Sequence, residues 1–149
     1  MLKALHETVC FMLINAFMAY LVIIAGGRNF ADYDLAKEKC DFYLAGKEGI
    51  EIVSGRCSTG VLTFTADDGT KVYGADGIGE KYAKERGLKV HPYPADWKGK
   101  GKGAGFIRNS EMAKVGDALI AFHDGISSGT ANMIKTAKAN KLLVRVVSY

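Results

Sequence analysis

Short apolar runs that end in glycine recur along this chain, and each is followed by a stretch with helical spacing. Leu21-Val22-Ile23-Ile24-Ala25 runs into Gly26-Gly27, the run from Gly49 to Val53 stops at Ser54-Gly55, and the run from Asp117 to Phe122 stops before Asp124-Gly125. Runs of this length are too short for helices. They are continuous rather than alternating, as in strands buried on both faces of a parallel sheet. Lys89 to Tyr93 and Leu142 to Val147 complete a set of about five strands. Helices are expected between them: one capped by Asp32 with Leu35, Ala36, Cys40, Tyr43 and Leu44 on one face, then Asp76 to Arg86, about Gly105 to Val115, and Thr130 to Asn140. Strands alternating with helices predict an α/β, Rossmann-like parallel sheet with helices on both faces.

One segment breaks the alternation. Val61 to Thr65 and Lys71 to Tyr73 flank Asp68-Gly69, a strong turn dipeptide, so a β-hairpin is expected as an insertion over about 60–73. The 149 residues suit a single domain, here 21–149, with no linker or internal repeat. Eighteen glycines against 2 prolines argue for tight turns and close backbone approach rather than disorder.

Residues 1–20 stand apart. No charged residue occurs from Thr8 to Gly27, a length that could cross a bilayer. Once Leu21 to Ala25 is given to the sheet, the remaining helix reaches only about 20 Å, short of the roughly 30 Å needed. An apolar helix from about Leu5 to Tyr20, carrying Phe11, Met12, Leu13, Phe17 and Met18, is therefore expected to pack in a homo-oligomer interface rather than in a membrane. The three cysteines, Cys10, Cys40 and Cys57, and the three histidines lack disulfide or metal-ligand spacing. A reduced, cytoplasmic protein without a metal or other cofactor is expected. The net charge of +4 favours anionic partners but is too mild, and too scattered, to make nucleic acid the expected one.

In such a sheet the loops leaving the strand carboxyl ends gather at one edge, where ligands bind. Four of them suit an anion. Gly26-Gly27-Arg28-Asn29 combines glycines with an arginine able to fork onto phosphate. Ser54-Gly55-Arg56, interrupted by the hairpin, resumes at Gly74-Ala75-Asp76-Gly77-Ile78-Gly79. Asp76 there either caps the next helix or meets ribose hydroxyls of a ligand. Trp97 to Gly105 is a glycine-lysine loop leading to Arg108 and Asn109; Trp97 either stacks on a base or joins the core. Asp124 to Thr130 places Ser127, Ser128, Gly129 and Thr130 at a helix start, where free N–H groups and the helix dipole favour a phosphate. His123 beside it is expected to be partly buried and hydrogen-bonded, with no catalytic role.

Other chemistries are excluded by their motifs. No P-loop, dinucleotide fingerprint or nucleophile elbow is present. The order GGRNF, SGR…GADGIGEKYAKERGLKV, PADW…GKGAGFIRNSEM and ALIAFHDGISSGTANMIKTAKANKLLV resembles the SLOG superfamily, in its YspA/YpsA-related branch, over Leu21 to Val147. That resemblance implies a nucleotide-derived ligand of the ADP-ribose or cyclic-nucleotide kind, with Gly26, Gly27, Arg28, Gly74, Asp76, Arg108, Asn109, Ser128, Gly129 and Thr130 lining its site. Relatives include phosphoribohydrolases and the DNA-processing protein DprA, so nucleotide N-glycosidic cleavage and nucleic-acid binding are the alternatives. The phosphoribohydrolases carry acidic residues just after the glycine-threonine. Here Ala131, Asn132 and Met133 follow, which points to a sensor or sequestering protein rather than an enzyme, in a setting such as phage–bacterial defence. Asp124 and Asp76 are the carboxylates that could stand in.

Overall fold

The computed structural model describes residue 7 and residues 18–149. The expected N-terminal helix falls outside the described residues apart from Glu7 and its last three positions. Of these last, Tyr20 already belongs to the first strand.

Five parallel strands form one sheet: β1 (Tyr20–Gly26), β2 (Ile50–Ser54), β5 (Val90–Pro92), β6 (Ala118–His123) and β7 (Leu143–Ser148), in the order β5-β2-β1-β6-β7. Four helices follow strands of this chain: α1 (Tyr33–Tyr43), α2 (Gly74–Glu85), α4 (Ala104–Val115) and α5 (Ser128–Ala139). The architecture is α/β and Rossmann-like, as the run-and-glycine pattern predicts. β1 explains why these runs show no alternation. Val22 and Ile24 enter one core with Ala36 and Cys40 of α1 and with Ile78, Tyr82 and Ala83 of α2. Ile23 and Ala25 enter the other with Met112 and Ala113 of α4 and Met133 and Ala137 of α5. Both faces of the strand are dry, so each position is apolar.

The hairpin is present as β3 (Leu62–Thr65) and β4 (Lys71–Tyr73), antiparallel, with an Asp68-Gly69 turn braced by Thr70 N–H on Asp68 Oδ1 at 2.9 Å. Two boundaries differ from expectation. α2 starts directly after β4 with no intervening loop, so Gly74 to Gly79 lie inside the helix. Its glycines serve contact: a Cβ at Gly79 would sit 2.8 Å from Ile24 Cβ of β1, and one at Gly77 would strike the hairpin at Thr63 and Val72. The stretch from Trp97 to Gly103, expected as a loop, is a short helix, α3 (Trp97–Lys100), and a 3-10 turn over Gly101–Gly103. Asp96 caps α3 through Oδ1 on Gly99 N–H at 2.9 Å, a signal masked by the lysines and glycines around it. Among the described residues no helix is long and apolar enough to cross a membrane.

Candidate functional site

Chain connections leave in opposite directions from β1 and β6, the central pair of the sheet, and a cleft opens beyond their carboxyl ends. It has a volume of about 720 Å³ and is lined from four loops at once. All of the residues expected at the site line it except Gly74.

The first wall is Gly26-Gly27-Arg28-Asn29. Phe30 anchors it from below, 2% exposed, stacked on Phe122 of β6 at 4.6 Å and tilted against Tyr149 at 4.7 Å. The Tyr149 hydroxyl fills the space that a side chain at position 27 would need. The amides of Arg28 and Asn29 make no hydrogen bond among the described residues, and the Arg28 side chain is exposed. Gly74 works from behind this wall. Its φ of 58° is a left-handed conformation, and a Cβ there would collide with the Gly27–Arg28 backbone. Val61 N–H donates to Arg28 O at 3.0 Å, so the hairpin also grips the loop.

Arg56 of the second loop turns away from the cleft. Its guanidinium reaches buried Glu80 at 3.2 Å and Asp68 of the hairpin turn at 3.0 Å. Glu80, 2% exposed, also accepts from Ser54 Oγ at 2.7 Å. Asp76 is not the cap of α2. Tyr73 holds the cap position without a side-chain bond, and Asp76 sits within the first turn. Its Oδ2 accepts from Cys57 N–H at 2.9 Å, reaching back across the hairpin insertion. Burial pushes the Asp76 carboxyl up to about 6, against the pull of Arg108 and the Cys57 amide and with a further push from Glu80.

α4 and α5 form the opposite wall. Arg108 donates to Gly55 O and, through Nε, to Asn109 Oδ1 at 3.2 Å. Asn109 is buried, and its Nδ2 donates to Gly129 O at 3.3 Å and to Asn132 Oδ1 at 3.0 Å. The asparagine thus clamps α4 to the first turn of α5, and both ends of its amide are used within the protein. Ser127 caps α5, accepting from Thr130 N–H at 3.4 Å and from the Thr130 hydroxyl at 3.1 Å. The amides of Ser128 and Gly129 find no acceptor among the described residues, and both residues line the cleft.

Asp124 is committed to its own turn. Oδ1 accepts from Ile126 and Ser127 N–H, both at 2.8 Å, and these bonds hold its carboxyl below the usual range. His123 is half-buried outside the cleft lining. Against expectation its Nδ1 has no hydrogen-bond partner among the described residues, lying 3.7 Å from Asp124 Oδ1. Trp97 is exposed at the rim rather than in the core, its ring lying over Gly105, and Lys102 lines the cleft beside it. Sequence reasoning missed Tyr149, which no motif marks. It also gave Cys57 no role, although this thiol lines the cleft and burial raises its pKa. Among the described residues no three His, Cys, Asp or Glu side chains are grouped to hold a metal ion.

The Gene 61 protein of Mycobacterium phage D29 is 39% identical to this chain over 82 residues, which are 51% of this chain and 64% of that protein. The chain therefore spans less than two thirds of that relative's length. No family model matches the chain. No solved structure matches it.

Proposed function

We propose that this protein binds a nucleotide-derived, phosphate-bearing ligand in the cleft, as a sensor or sequestering protein of the SLOG type. The observation that carries the reading is the pair of unspent amides of Ser128 and Gly129 at the start of α5, in a cleft whose other wall carries exposed Arg28. Helix-start amides with a guanidinium opposite grip a phosphate from two sides. Trp97 and Phe106 at the rim offer flat apolar surface to a base.

Holding the ligand is favoured over cleaving it. Asn132 stands near the place of the phosphoribohydrolase carboxylates and is tied to Asn109. Asp124 is fixed as an ionised turn acceptor and is a poor proton donor. A setting in phage–bacterial signalling or defence is part of the same proposal. Self-association through the apolar segment from about Leu5 to Tyr20 is proposed from its composition, and a light-scattering mass above 16.1 kDa is the expected result.

Thermal shift with ADP, ADP-ribose, cyclic nucleotides and inorganic pyrophosphate tests the binding reading. Stabilisation by phosphate-bearing compounds, lost in Arg28→Ala and weakened at high salt, is expected. No shift with any of them ends it. Chromatography of the nucleotides after long incubation should return them intact; a cleaved product would favour the enzyme reading instead.

A further inference from the structure

We infer that Asp76 recognises the sugar: its open carboxylate oxygen accepts hydrogen bonds from ribose hydroxyls of a ligand whose phosphate lies at the start of α5. The inference rests on the phosphate-binding reading above and names the part of the ligand that reading leaves open.

Asp76 is 7% exposed, and what remains uncovered faces the cleft. Its one hydrogen bond is the Cys57 amide on Oδ2; Oδ1 accepts none among the described residues. A buried carboxylate normally recovers its lost hydration through several donors, so one oxygen left open at a cavity wall is an expensive arrangement for an empty protein. The neighbours define what can fill the gap. Arg108 approaches from α4 and lends its charge, but it donates to Gly55 O and Asn109 Oδ1 rather than to Asp76. Glu80 lies one turn further along α2 and is bound to Arg56 and Ser54. The Cys57 thiol donates to Thr59 O, 3.2 Å away.

Charge then selects the ligand group. A phosphate is repelled from an ionised Asp76, and an ammonium group is repelled by Arg108 beside it. A neutral donor suits both, and a carboxylate can only accept. Ribose hydroxyls are neutral donors tethered a few bonds from a phosphate. Burial pushes the Asp76 carboxyl up only to about 6, so at neutral pH it is still mostly ionised and a strong acceptor.

Titration calorimetry of the full chain and of Asp76→Ala with three probes tests this: ADP, 2′,3′-dideoxy-ADP and inorganic pyrophosphate. The native protein should prefer ADP to the dideoxy form by about ten- to a hundredfold. Asp76→Ala, which has no acceptor to offer, should bind the two alike and should bind pyrophosphate at least as tightly as the native protein, because the charge that repels phosphate is gone. A variant that keeps the full preference overturns the inference. So does one that loses ADP and dideoxy-ADP equally, which would place the base amine at Asp76. Should the variant fail to fold, the native protein decides alone, since equal affinity for ADP and dideoxy-ADP overturns the inference. Pyrophosphate binding without that preference leaves the phosphate site standing. No binding of any probe removes both readings.

Discussion

At Asp76 a single carboxyl links fold stability to pH. Its folded pKa of about 6 lies above the unfolded value of about 3.9, so the folded state holds the proton more tightly. Below about pH 4 both states are protonated and the group costs nothing. The cost grows as pH rises through the folded pKa and is complete above it, at roughly 3 kcal/mol. Asp76→Asn is therefore expected to stabilise the empty protein at pH 7.5 and to leave it unchanged at pH 4, as read by urea denaturation at the two pH values. A variant less stable than the parent at pH 7.5 would contradict this. Gly74 carries the opposite kind of constraint. Gly74→Ala forces a Cβ into the Gly27–Arg28 backbone at a positive φ and should cost on the order of 3 kcal/mol, with loss of phosphate binding in whatever fraction still folds. At this scale the sequence was a partial guide. Asp76 reads as a helix cap because GADGIG looks like a loop. The close packing that puts those glycines inside α2 involves Ile24, Thr63 and Val72, which are distant in sequence. Tyr149 shows the same limit, since its place over Gly27 depends on β7 lying beside β6.

Among the elements, the hairpin is tied to α2 through Arg56. Arg56 joins Glu80 of α2 to Asp68 at the β3–β4 turn, and its Nη1 also reaches Thr70 at 3.3 Å. Arg56→Met leaves the Glu80 charge buried beside Ser54 alone. A loss of roughly 3–5 kcal/mol is expected, together with faster hydrogen exchange over Lys71–Tyr73. Adding Glu80→Gln should restore part of that stability but not the hairpin protection, because Asp68 still lacks its partner; full additivity of the two changes would refute the coupling. The start of α5 is more local. Ser127→Ala removes the cap and should lower stability by about 1 kcal/mol. Strands and most helices were legible because burial on two faces leaves continuous apolar runs, and Asp32 caps α1 as its position implies, accepting from Leu35 N–H at 3.0 Å. α3 was not legible, since four residues carry too little periodicity to outweigh their glycine and lysines.

For the whole molecule, one of the two cores and the cleft can be told apart by thiol chemistry. Cys40, on the inner face of α1, is 1% exposed, and burial pushes its thiol up to about 12. Cys57 lines the cleft. In a Cys10→Ser background, alkylation of Cys57 should be slow and should slow further with saturating ADP. Cys40 should react only at the rate of global unfolding. Equal labelling of the two, or no protection of Cys57, would conflict with this division. The strand order of the sheet also governs time. β3, β4 and α2 are contiguous, and a hairpin of this size closes within about 1–10 μs. The β1–β6 pair joins Val22 to Ala118 and must wait for most of the chain to condense. Since the cleft needs the loops after both of those strands, the local contacts of the hairpin that grips Arg28 are expected to form before the Arg28 loop is in place. The ligand site is then among the last parts to mature, and a half-folded chain has nothing with which to capture the ligand early.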